Sequence, residues 1–156
     1  MSMIQRPRRL RISSGMRDLV RETELSVRDF VYPIFVVPGE KIKEDIPSMP
    51  GCFHYSVDQV AALAHEIAAR GIRAVEVFGL PAYKDEDGSS AWDMESPVQR
   101  AIAAIKDAVP DLLVVGDVCL CQYTTHGHCG HLTGHYVDND RTLALLQKVA
   151  VSQAKA

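Results

Sequence analysis

Apolar and polar positions alternate between two periods along this chain. Val31–Val37 is an apolar run rich in β-formers, and because Pro33 cannot donate to a ladder its paired part is expected from Ile34. Ser56-Val57-Asp58-Gln59 has capping-box form, a serine followed three residues later by glutamine. Val60, Leu63, Ala64, Ile67 and Ala68 then recur at helical spacing, and Gly71 suits a left-handed helix stop. Ile72–Phe78 reads as the next strand, followed by a polar loop over Lys84–Ser90. Ser96-Pro97-Val98-Gln99 repeats the capping pattern, with proline at the first helical position, where its missing N–H costs nothing. Val98, Ala101, Ile102, Ile105 and Val109 form one stripe that Pro110 ends. Leu112–Leu120 predicts a third strand, and Asp138 or Asn139 caps a last helix with Leu143, Leu146 and Ala150 on one face.

Strands and helices in alternation, with almost continuously apolar strands, predict an α/β fold whose parallel sheet is buried on both faces. The 156 residues, 47% of them hydrophobic, are enough for a core without disulfide staples. Charge divides the chain in two. Residues 1–28 carry seven arginines against three acids, a net +4, and leave −7 for residues 29–156. This basic, apolar-poor lead reads as an arm outside the core, with a solvated tail as the plainer alternative. A net charge of −3 excludes a general nucleic-acid or membrane-surface binder. No apolar run approaches the length that crosses a bilayer, and the lead lacks the apolar core of a signal peptide, so a reducing cytoplasm is expected. The last helix runs to Ala156 without a terminating Gly, Asn or Pro, as expected of a cut chain, although a natural C-terminal helix can also simply stop.

Chemistry concentrates in Gly116-Asp117-Val118-Cys119-Leu120-Cys121-Gln122-Tyr123-Thr124-Thr125-His126-Gly127-His128-Cys129-Gly130. If the third strand continues through it, Asp117, Cys119 and Cys121 project from one face, shared with Leu113 and Val115. Apolar side chains thus give way to acid and thiol at the C-terminal strand end, where parallel α/β folds place their sites. Gly127 and Gly130 would let the loop turn back and bring Cys129 to the other two. Three thiols with this spacing suit Zn²⁺, and three protein ligands leave a fourth position for water or substrate. His126 or His128 could close that position and make the site structural. Buried free cysteines in a packed loop are the competing explanation.

Other candidates are weaker. Cys52 reads as a small loop hydrophobe, and His54 and His65 as solvated. His131 and His135 flank a glycine-containing loop and are not assigned as ligands. Glu76, inside an apolar strand, is expected to find an ion-pair partner. The acids of Lys84–Asp87 read as loop solvation. No phosphate loop, Ser-His-Asp set or dinucleotide fingerprint is present.

The Asp117–Gly130 segment resembles the zinc-site signature of the porphobilinogen synthase (delta-aminolevulinic acid dehydratase) family. Further matches are Arg6-Pro7-Arg8-Arg9-Leu10-Arg11, Tyr32-Pro33-Ile34-Phe35-Val36, Ser48-Met49-Pro50-Gly51, Phe78-Gly79-Leu80-Pro81, Val98-Gln99-Arg100-Ala101-Ile102, Val137-Asp138-Asn139-Asp140 and Thr142-Leu143. The resemblance covers almost the whole chain in order.

It implies a lyase that condenses two 5-aminolevulinate molecules into porphobilinogen with loss of two waters, on the route to haem. It also implies a (β/α)₈ barrel of which this chain holds about three βα units, preceded by an arm that embraces a neighbouring subunit, commonly in a homo-octamer. Carried over, Cys119, Cys121 and Cys129 are the Zn²⁺ ligands and Asp117 the acidic catalytic residue beside them. The family's two Schiff-base lysines lie in motifs absent here. Lys41, Lys43, Lys84, Lys106, Lys148 and Lys155 stand in other contexts, so the chain alone is expected to be inactive. The alternative from another class is a non-catalytic zinc-binding or assembly module that pairs with a partner chain.

Overall fold

The computed structural model describes residues 5–156; the first four residues of the predicted arm lie outside the described residues. The basic lead forms a 3₁₀ turn over Pro7–Arg11, a short helix α1 (Ser14–Leu19) and a second 3₁₀ turn over Val27–Asp29, and buries none of its described residues. Short helices with no apolar face against a core gain little from tertiary packing.

The rest is built on strands β1 (Val31–Val37), β2 (Lys43–Asp45), β3 (Phe53–Ser56), β4 (Ala74–Gly79) and β5 (Leu113–Gly116), in the sheet order β2-β3-β1-β4-β5. All neighbours run parallel except the β2–β3 pair. Helices α2 (Val57–Ala69) and α3 (Pro97–Ala108) link the parallel strands. Their stripes, Val60, Leu63, Ala64 and Ile67 on α2 and Val98, Ala101, Ile102 and Ile105 on α3, close over Ile34, Val36, Val75 and Val77. Gly71 ends α2 at φ +87°, as the sequence predicts.

Pairing along β1 starts earlier than predicted: Val31 faces Ala74 and Pro33 faces Glu76. The Val36 carbonyl accepts from Leu80 N at 2.8 Å, so even-numbered residues turn their backbone groups to β4. Pro33 therefore turns its missing donor toward β3, where the register begins only at Phe35.

Both helices start where the sequence places them, but neither uses a capping box. Ser56 Oγ accepts from Ile42 N at 2.8 Å, and Ser96 Oγ donates to the Ser90 carbonyl. Longer-range partners have taken both hydroxyls.

The sheet is buried on one face only. The opposite face stacks Phe35 on Phe78, centroids 5.5 Å apart, and leaves Val31, Leu113 and Val115 respectively 50%, 65% and 43% exposed. Two-sided burial fails because α2 and α3 cover the same side. Glu76 lies half-buried on the uncovered face and has no ion pair among the described residues, so the partner expected for it is not needed.

Beyond β5 come the hairpin strands β6 (Leu132–Thr133) and β7 (Tyr136–Val137), then α4 (Asn139–Lys155), capped by Asp138 Oδ1 accepting from Arg141 N at 3.1 Å. The buried face of α4 is Thr142, Val149 and Ser152, with Leu145 and Leu146 half-buried; Leu143 and Ala150 are exposed, contrary to the predicted stripe. Polar partners explain the rotation, since Gln99 Nε2 of α3 donates to Ser152 Oγ at 2.9 Å. Among the described residues, no helix is long and apolar enough to cross a membrane.

Candidate metal centre

The third strand stops at Gly116, four residues short of the predicted Leu120. Asp117 and Cys119 lie beyond it in irregular backbone, and Leu120 opens a turn in which Tyr123 N and Thr124 N both reach the Leu120 carbonyl, at 2.9 and 3.0 Å. Strand alternation is therefore not what aligns these side chains. The turn does it, because Leu120 and Tyr123 are buried in a second core with Ala91 and Val149 and anchor the thiols between and beside them.

Cys119 and Cys121 sulfurs stand 3.5 Å apart. Cys129 joins them, and the three sulfurs lie within 4.8 Å of one another. Gly127, at φ +72°, makes the reversal that returns Cys129. Gly130 acts differently from its predicted role: it is buried where a Cβ would meet Thr142 and Val137 side chains, so it permits close packing of the loop on α4.

The three thiols are electrostatically unequal. Burial would push Cys119 up, but the Cys121 backbone amide and the Cys129 and Cys121 thiols together hold it below the usual thiol range. Burial, then hydrogen bonding to Cys119 and its charge, pushes Cys121 up to about 12. The hydrogen bond to Cys119, then that residue's charge, also raises Cys129. Cys119 is thus the first of the cluster to ionise, with two thiols turned toward it. Burial and the charges of Asp117, Cys119 and Cys121 keep the Tyr123 hydroxyl protonated.

Asp117 is half-buried, and its Oδ2 accepts from Gln122 Nε2 at 3.0 Å. Neither histidine joins the cluster, which among the described residues consists of cysteines alone. His126 is fully committed: its Nδ1 accepts from His128 N at 3.1 Å, so its Nε2 carries the proton and donates to the Glu86 carbonyl at 3.1 Å.

Several residues that hold this loop escaped sequence reasoning. Asp85 forms a β-bridge with Thr124, and its carboxylate accepts from the backbone and hydroxyl of Ser89. Asp87 Oδ1 lies 2.6 Å from His131 Nδ1. Asp85 and Asp87 are thus structural rather than merely solvating, whereas Glu86 is exposed, as predicted. His54 likewise is half-buried, edge-on to Phe35, not solvated. Only acid–histidine pairing across some forty residues could have revealed these contacts, and spacing carries no such signal.

Comparison with known proteins gives a consistent picture. Residues 4–156 match the profile of a family described as Delta-aminolevulinic acid dehydratase. A protein of that name from Synechococcus elongatus is 50% identical over 155 residues, covering 97% of this chain and 48% of its own length. One from Ruminiclostridium josui is 46% identical, covering 99% of this chain and 75% of its own. The crystal structure of delta-aminolevulinic acid dehydratase (porphobilinogen synthase) from Toxoplasma gondii, in complex with the reaction product porphobilinogen, superposes with a TM-score of 0.89 at 32% identity, over 98% of this chain and 44% of that one. Apart from the Ruminiclostridium protein, the chain spans about half the length of the curated relatives it matches.

Proposed function

From the premise that the chain belongs to the delta-aminolevulinic acid dehydratase family, we propose that it forms the zinc-holding part of an enzyme that condenses two 5-aminolevulinate molecules into porphobilinogen with loss of two waters. The observation that carries this is the gathering of Cys119, Cys121 and Cys129 within 4.8 Å beyond the C-terminal end of a parallel strand. The Toxoplasma relative, which holds porphobilinogen, supports the choice of reaction.

The donor set fits Zn²⁺. Three sulfurs suit a borderline-soft ion, and the absence of histidine from the cluster leaves one coordination position for water or substrate. When bound there, Zn²⁺ supplies Lewis acidity and a fixed point for an incoming substrate. Asp117 is the catalytic carboxylate of this reading. Gln122 occupies its Oδ2, while Oδ1 has no hydrogen-bond partner among the described residues and is the atom that would hold or accept a substrate proton.

The same proposal makes residues 1–28 a subunit-embracing arm in a homo-octamer, residues 29–156 the first part of a (β/α)₈ barrel, and the cytoplasm the site of action. It also holds that this chain alone has no turnover. Schiff-base chemistry needs an activated amine, and the lysines engaged here act elsewhere: Lys43 lies over the Phe53 ring, Lys148 over Trp92, and Lys106 donates to the Leu112 carbonyl.

The test combines zinc X-ray absorption with turnover. Three sulfurs and one oxygen around zinc, with no porphobilinogen formed from 5-aminolevulinate, are expected. A nitrogen fourth ligand overturns the open site, and product formation by the isolated chain overturns its inactivity. The uncovered sheet face favours a second reading, an assembly module completed by a partner chain. A stable, compact monomer in light scattering would count against it.

A further inference from the structure

Between the end of β5 and the first two cysteines the strand ladder has run out, yet the segment is held at both ends. Gln122 Nε2 donates to Asp117 Oδ2 at 3.0 Å, closing residues 117–122 into a ring that contains Cys119 and Cys121. Gln153, in the last turns of α4, donates its Nε2 to the Asp117 carbonyl at 3.0 Å. Asp117 is therefore tied through its backbone to a helix and through its side chain to the far end of the cysteine loop. Gly116 makes the second tie possible by leaving free the space that the Gln153 carboxamide occupies.

We propose that Gln122 and Gln153 are positioning residues of the metal site, a two-point staple that preorganises Cys119 and Cys121 for the ion. The inference rests on the reading of the three cysteines as metal ligands. Loop residues that must be ordered when the ion arrives subtract from affinity, whereas residues ordered in advance do not. Here the two sulfurs stand 3.5 Å apart on the stapled segment. Both carboxamides are spent on Asp117, so each glutamine acts through that residue. In both contacts the carboxamide N–H is the donor. Glutamate has the same shape and offers only acceptors, so Gln122→Glu sets carboxylate against carboxylate, and Gln153→Glu sets carboxylate against carbonyl.

The test titrates the full chain with Co²⁺, following its thiolate charge-transfer absorption, and with Zn²⁺ against a chelator. Gln122→Glu and Gln153→Glu are expected to weaken Zn²⁺ binding measurably, by no more than the roughly 10- to 100-fold that losing a partner bonded to a ligand itself costs. Their Co²⁺ bands shift while the circular dichroism of the metal-free protein stays unchanged. Gln122→Ala and Gln153→Met, which add no charge, weaken binding in the same direction and keep the test valid should a glutamate variant fail to fold. If the unsubstituted chain binds zinc and the folded variants bind it equally well, this inference alone is overturned. If the unsubstituted chain takes up neither ion, the metal reading falls and the inference with it.

Discussion

Gln153 lies across the place where Gly116 has no side chain: a Cβ on Gly116 would stand 2.5 Å from Gln153 Oε1 and 2.8 Å from its Cδ. The glycine is present for close approach, since its φ is not in the left-handed region. Gly116→Ala must displace the carboxamide from the Asp117 carbonyl, and overpacking of this kind costs about 1–3 kcal/mol. Urea denaturation of Gly116→Ala, Gln153→Ala and the double variant checks it. The alanine at 116 should cost much less once Gln153 is shortened, a non-additive pair.

Gly130 presents a harsher version of the same constraint. A Cβ there would meet Thr142 Oγ1, Thr142 Cγ2 at 2.7 Å and Val137 Cγ1 at 2.7 Å. Thr142 cannot yield easily, because its hydroxyl accepts from His131 N at 3.0 Å and donates to the Asp138 carbonyl at 2.6 Å. Gly130→Ala is expected to destabilise by about 2–3 kcal/mol and to loosen the return of Cys129, read as a fall in Tm together with weaker zinc uptake.

Ser152→Ala tests the polar link between α3 and α4. Gln99 is fully buried, its Nε2 donates to Ser152 Oγ and to the Ala91 carbonyl, and its Oε1 is unpaired. Removing the hydroxyl leaves the carboxamide with a single protein partner, at a cost of about 1–2 kcal/mol in chemical denaturation. A neutral result would show that water already satisfies the group.

Asp85 gives the fold an acid sensitivity. Burial raises its pKa, but hydrogen bonds from the Ser89 hydroxyl and amide, then from the Gly88 and Asp87 amides, outweigh burial and hold it below the usual aspartate range. A carboxyl with a depressed folded pKa adds stability above its unfolded value, and that stability is lost as pH falls through the folded value. Stability measured from pH 6 downward should drop below about pH 4, and Asp85→Asn should flatten that part of the profile while lowering stability at neutral pH.

Metal binding should stabilise the folded chain by mass action, about 2.7 kcal/mol at a free ion concentration 100 times Kd. Differential scanning calorimetry with Zn²⁺ is expected to show a higher Tm that a chelator reverses. Cys119→Ala and Cys129→Ala should each abolish the shift. A shift that survives either substitution would place the ion elsewhere.

Periodicity made the alternation of strands and helices legible, along with the starts of α2 and α3, the Gly71 stop and the stripes that form the core. These follow from local geometry, in which every third or fourth residue of a helix must meet the sheet. Spacing and residue type likewise single out the three cysteines, because close-set thiols in a chain without a disulfide framework suit a metal.

Burial and long-range pairing were decided in three dimensions. Which face of α4 turns inward followed Gln99 and Ser152, not the leucines. The serines at two helix starts bonded elsewhere, and the strand expected to carry Asp117, Cys119 and Cys121 ended at Gly116. There a buried turn and two glutamine hydrogen bonds, one from a helix 36 residues away, replaced the ladder. Sequence by itself determined which residues could carry the chemistry, because residue type and spacing are local. Only the tertiary structure decided how they are held, because a hydrogen bond between distant residues depends on where the chain brings them together and leaves no period to read.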